Sequence, residues 1–166
     1  MSELLFYPIL VLLLIIQLAI VRYLPLFNGT ADILLLWLAA WGLQNKGKHV
    51  WIGAIFAAVL LSFASAVPWY AYFVTYLILA LMSRLMNRHF WHNPLIALLF
   101  VVFFGSLLEY IIQFVVLLVQ GISINFLESL KFIIVPSTFL NLLLAIPVYV
   151  IVSDMAQWVY PKGADE

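Results

Sequence analysis

Glu109 is the one carboxylate set deep inside an apolar run of this chain, and Ser106 and Gln113 share its helical face at three- and four-residue spacing. In the next apolar run, Ser137 and Asn141 stand one turn apart beside Thr138, between Pro136 and Pro147. Such a set could do two kinds of chemistry. It could hydrogen-bond helices together where lipid offers an amide or hydroxyl no partner. Alternatively, Glu109 could hold a proton or ion on a transport path. A carboxylate at mid-membrane is costly to ionise, which favours its neutral form. No second buried charge is evident to complete a relay, so the spacing favours a polar helix–helix seam or partner contact built from Glu109, Gln113, Ser137 and Asn141.

Other reactive arrangements are missing. The three histidines (His49, His89, His92) fall in polar loops away from Glu109, and His89-x-x-His92 has no third ligand in its loop. The absence of cysteine removes disulfides, thiolate nucleophiles and cysteine metal sites. No glycine-rich phosphate loop occurs, and no serine has a histidine base at its own depth. The sequence therefore predicts no catalytic residues, no cofactor and no metal: not an enzyme.

The elements that must position these residues follow from composition. At 166 residues the chain is one domain by length, 67% hydrophobic and 8% charged. Its mean hydropathy of +1.20 lies far outside the soluble range. With zero formal net charge, nothing points to nucleic acid. The expectation is an all-α integral membrane protein, a bundle of about six transmembrane helices in contact with membrane lipids. The spans fall at about 4–23, 31–44, 50–66, 69–86, 94–120 and 129–154. The second is short for a full crossing. The first shows an acidic flank and no small-residue cleavage site, so it reads as a span rather than a removable signal.

Smaller features divide among the runs. Gln17 is the polar interior residue of the first and reads as an interhelical hydrogen bond. Thr30 reads as a helix cap and Asp32 as a charge suited to the positive helix end. Ala54, Ala58, Ser62 and Ser65 form a small-residue packing stripe. Trp69, Tyr70, Tyr72 and Tyr76 read as an aromatic belt at one membrane face. Arg84 and Arg88 mark a basic cytoplasmic anchor. Six crossings place Lys46, Lys48, Arg84, Arg88 and Lys162 on one side against Arg22 and Lys131 on the other, which predicts both termini in the cytoplasm.

This topology gives the polar residues a depth. Glu109 lies 12 residues before Gly121, and Asn141 lies 12 after Ser129; for Gln113 and Ser137 the interval is 8. Two layers are expected, Glu109 with Asn141 and Gln113 with Ser137.

The layout also resembles the rod-shape-determining MreD family. The resemblance rests on residues 17–43 (QLAIVRYLPLFNGTADILLLWLAAWGL), 105–110 (GSLLEY) and 135–149 (VPSTFLNLLLAIPVY). These match the family's loop-plus-acid entry to the second helix and its Pro-x-x-x-x-Asn final helix. The serine-rich end of the third run departs from the pattern, since many relatives carry an acidic residue there. The resemblance implies a scaffold in the bacterial cytoplasmic (inner) membrane that binds MreC. Through MreC it would link MreB filaments indirectly to RodA and its penicillin-binding transpeptidase. A homo-oligomer remains open. The alternative is the substrate-binding membrane subunit of a vitamin-type transporter. Such subunits carry an Ala-x-x-x-Ala stripe in the first helix, where this chain has only Ala19.

Overall fold

The computed structural model describes residues 6–19, 29–44, 50–89 and 93–159. Among these the architecture is helical: α1 (Phe6–Ala19), α2 (Ile33–Gly42), α3 (Val50–Ala64), α4 (Trp69–His89), α5 (Pro94–Val119), α6 (Phe126–Ser129) and α7 (Val135–Val159). A π-helical turn, Leu130–Ile134, joins α6 and α7. Three helical stretches, Trp69–Arg88, Pro94–Val119 and Phe126–Trp158, are long and apolar enough to cross a membrane; α1, α2 and α3 are shorter apolar helices.

Helix α2 is the hub of the bundle. Its sequence, ILLLWLAAWG, has no polar stripe, so no face of it can meet water favourably. Every residue from Leu34 to Gly42 is buried, and α1, α3, α4, α5 and α7 all pack on it. Ten residues span roughly 15 Å, about half of a ~30 Å hydrocarbon core. The run expected at 31–44 is thus a short internal helix whose N-terminus lies within the protein.

The neighbours approach through small side chains. Helix α3 buries Gly53, Ala54, Ala57 and Ala58. At the C-terminal end of α2, a Cβ added to Gly42 would lie 2.5 Å from Ser83 Cβ on α4. Large apolar residues such as Leu12, Ile15, Phe139, Leu143 and Val150 face outward.

The last helical stretch starts earlier than the expected residue 129. Asn125 caps it, accepting from the Leu127 N–H at 3.0 Å. Pro136 has no N–H to donate one turn back, and the wider turn forms immediately before it, with Val135 N–H bonded to Leu130 O. Pro147 sits inside α7.

The aromatic-belt expectation divides. Trp69 (63%) and Tyr70 (44%) are exposed, whereas Tyr72 (6%) and Tyr76 (0%) are turned into the core. One turn of α4 separates Tyr72 from Tyr76, so both follow the helix face that also carries buried Leu79 and Ser83. Near the end of α4, Arg84 is half-buried and Arg88 exposed. Arg22, Lys46, Lys48, His49, His92 and Lys162 lie outside the described residues.

Candidate functional site

The first N–H groups of any helix lack intrahelical acceptors. For α2 these groups are inside the bundle, where water cannot supply the missing partners. Side chains from three elements do so. The Asp32 carboxylate caps its own helix, Oδ1 accepting from Leu35 N–H at 3.0 Å. Gln17 Oε1 on α1 accepts from Leu34 N–H at 3.2 Å. Asn141 Oδ1 on α7 accepts from Asp32 N–H at 2.8 Å. One step earlier, Ser137 Oγ accepts from Thr30 N–H at 3.0 Å. Gln17 therefore makes the interhelical bond expected of it. Asp32, rather than Thr30, is the cap.

Segment 29–32 reaches these partners because Gly29 presses on α7. A Cβ at Gly29 would stand 2.7 Å from Ser137 N and 2.8 Å from the Pro136 carbonyl carbon, contacts that only a residue without Cβ allows.

Two tiers of polar groups result. The outer tier holds Thr30, Ser137 and Tyr110, whose hydroxyl donates to Thr30 O at 3.1 Å. The inner tier holds Asp32, Asn141, Ser106, Tyr76 and Glu109. There Asn141 Nδ2 donates to Ser106 Oγ at 2.8 Å, and Tyr76 Oη donates to Asp32 Oδ2 at 2.8 Å. Ser106, Tyr76, Ser137 and Asn141 are fully buried.

Glu109 (4% exposed) and Asp32 (5%) are the buried carboxyl groups of this site. Glu109 Oε1 accepts from Gln113 Nε2 at 3.0 Å, while Oε2 has no partner to donate to it. Among the described residues, no lysine, arginine or histidine joins the pair.

The expected layers are corrected accordingly. Glu109 does not bond Asn141 directly, and Gln113 does not bond Ser137. Segment 29–32 lies between α5 and α7 and takes the bonds that a bare helix pair would exchange. Asn141 instead holds Ser106 and the Asp32 backbone, Ser137 holds the Thr30 backbone, and Gln113 turns to Glu109 on its own helix. Sequence reasoning missed Asp32 and Tyr76 as members of the site. A signal was present: an acid heading a helix with no polar stripe caps an N-terminus that has to be buried. Arg84 and Arg88 lie beyond Tyr76 towards the C-terminal end of α4 and form none of the hydrogen bonds described for this cluster.

Beside the outer tier is a cavity of about 390 Å³ lined by Gln17, Thr30, Ala31, Ala64, Ser65 and Ala66, among others. Ser65, on its wall, accepts from Val67 N–H at 3.2 Å. Among the described residues no cluster of three or more His, Cys, Asp or Glu could hold a metal ion. No family model, curated protein or solved structure matches this chain.

Proposed function

We propose that the chain is a non-enzymatic membrane scaffold of the bacterial cell-elongation machinery, of the MreD type. In this reading it crosses the inner membrane six times with both termini cytoplasmic, the short α2 crossing with the help of its flanks. It binds MreC, and so helps couple MreB filaments to RodA and its transpeptidase. One observation carries the reading. The three stretches that resemble the family, 17–43, 105–110 and 135–149, supply Gln17, Asp32, Ser106, Glu109, Ser137 and Asn141, which converge on the start of α2. What the resembling strings have in common is thus one structural unit, a rigid frame on which outward helix faces can dock a partner's helix.

Co-purification of MreC from native membranes, with cell shape as a second readout, tests this. Glu109→Gln keeps the size and hydrogen-bonding capacity of the side chain and should preserve both. Glu109→Leu strands Gln113 and should weaken the frame by about 1–2 kcal/mol. Failure to recover MreC with the unaltered protein would sink the proposal.

The cavity favours a second reading, a substrate-binding transport subunit. Its volume lies at the low end of the ~300–1,000 Å³ typical of ligand sites. A small molecule co-purifying with the protein, and lost when Ala64 is enlarged to Phe, would put this reading first.

A further inference from the structure

Hydrogen bonds between helices fix a common level across the bundle. Asn141 on α7 joins Ser106 on α5 and the Asp32 backbone, and Tyr76 on α4 joins the Asp32 carboxylate. Toward the α5–α6 turn, α5 continues from Ser106 to Val119, ~20 Å at 1.5 Å per residue. The last helical stretch reaches back from Asn141 to Phe126 over a similar ~22 Å. Helix α4 extends only from Tyr76 to Trp69, ~10 Å, where residues 65–68 turn the chain back to α3, packed against it. In the opposite direction the helices match: Ser106 to Pro94 covers ~18 Å and Tyr76 to His89 ~20 Å. The bundle is therefore recessed by about 10 Å at one end, on its α3–α4 side alone.

With α5 centred in a ~30 Å hydrocarbon core, this level lies near the midplane and each leaflet surface ~15 Å away. Trp69 (63% exposed) and Tyr70 (44%) stand only ~10 Å out, with Phe63 (87%) facing outward beside them on α3. Tyr and Trp settle where hydrocarbon meets headgroups, so these rings mark an interface closer to the midplane than the ends of α5 and α7 allow. The polar groups here agree, independently of helix length. Thr30 is exposed, and its bonds to Tyr110 and Ser137, each about one turn from the common level, set it ~6 Å out. Beside it, Gln17, Thr30 and Ser65 line the open cavity of about 390 Å³. Hydrocarbon offers such a recess no hydrogen-bond partners.

We propose that the leaflet facing the α5–α6 turn is drawn down over the α3–α4 hairpin and segment 29–32, so that its phospholipid interface fills the recess between Gln17, Thr30 and Ser65. The occupant is the uncharged glycerol-ester zone of the lipid, because the described lining residues offer an amide and hydroxyls and carry no charge. On the other flank, α5 and α7 present apolar side chains from Leu95 to Val119 and from Val135 to Trp158, which hold the same leaflet at full thickness. The chain thus thins one leaflet on one flank and leaves the second leaflet flat, a wedge in the bilayer beside the N-terminus of α2. The inference rests on the membrane crossing proposed above and not on MreC binding.

Spin labels on single cysteines in the full-length chain, reconstituted in dioleoylphosphatidylcholine vesicles, test this. Each label is scored for collision with oxygen, which concentrates in hydrocarbon, and with a neutral water-soluble nickel chelate. The substitutions are Phe63→Cys, Ala66→Cys, Ile111→Cys and Val115→Cys, all at exposed positions where a label displaces no packed side chain. Along α5, Ile111 lies ~8 Å and Val115 ~14 Å from the common level. A flat bilayer therefore ranks chelate access lowest at Ile111, intermediate at Phe63 and Ala66, and highest at Val115. The expected result is that Phe63 and Ala66 both exceed Val115 and stand severalfold above Ile111. The flat ranking overturns the proposal. So does access at Ala66 without access at Phe63, which means a water-filled recess under an undisturbed leaflet. Chelate access at Ile111 equal to that at Ala66 would show that α5 does not cross, and would remove the membrane reading itself.

Discussion

The backbone N–H of Asp32 donates to Asn141 Oδ1 at 2.8 Å, joining positions 109 residues apart in the chain. The same Asn141 donates through Nδ2 to Ser106 at 2.8 Å. One amide thus ties the start of α2, the middle of α5 and α7 together in a region where no water competes.

Asn141→Leu should be the most damaging single change in this network that introduces no charge. It strands the Asp32 N–H and the Ser106 hydroxyl, each worth about 1–3 kcal/mol when left unsatisfied. Thermal melting in detergent should drop accordingly. Adding Ser106→Ala should cost less than the sum of the two separate changes, since one stranded partner is then gone. Full additivity would mean that the two side chains do not interact.

Gly29→Ala and Gly105→Ala should separate sharply. At Gly29 the new methyl meets the backbone of Pro136 and Ser137 at 2.7–2.8 Å, and backbone cannot step aside. At Gly105 the nearest atom is Leu79 Cδ1 at 2.6 Å, the tip of a side chain that can change rotamer. The first variant should lose several degrees of melting temperature and the hydrogen-exchange protection of the first turn of α2. The second should stay close to the parent. Equal effects would contradict the close approach of segment 29–32 to α7.

Tyr76→Phe removes the hydroxyl that donates to Asp32 Oδ2 and leaves the ring in place. Hydrogen bonds to charged groups contribute about 1.5–3 kcal/mol, so a loss of that order is expected. Tyr70→Phe, on the exposed side of α4, is the control and should change melting by less than about 0.5 kcal/mol.

The six-crossing topology proposed above makes a labelling prediction. The chain has no cysteine, so single cysteines report cleanly. Substitutions at Lys48 and Arg88 should resist an impermeant thiol reagent in intact cells, while one at Ser123 should react. Labelling of Arg88→Cys from outside would end the model with both termini inside. Replacing Arg84 and Arg88 together by Glu should disturb orientation, since each basic residue near an anionic leaflet is worth about 1 kcal/mol.

The sequence by itself determined that the chain is helical and where its apolar runs lie, because hydropathy and helical spacing are local properties. It also marked Glu109, Gln113, Ser137 and Asn141 as one polar seam, because each is out of place among Leu, Val and Phe. Depth counting paired Glu109 with Asn141 and Gln113 with Ser137, whereas Asn141 bonds Ser106 and the Asp32 backbone, Ser137 the Thr30 backbone, and Gln113 bonds Glu109. What tertiary structure alone decided is the third participant. Asp32 follows an ordinary turn, and in isolation any such acid caps a helix in water just as well. Only the packing of five helices around α2 makes that cap buried and brings Tyr76 and Asn141, 44 and 109 positions away, into hydrogen bonds with it. Tyr76 illustrates the same point. Its spacing suits an interfacial belt and a core face equally, and the choice was made by the neighbours of α4, which supply a carboxylate to receive its hydroxyl. Partners that lie far apart in sequence leave no local mark, so their pairing becomes visible only when the helices are set side by side.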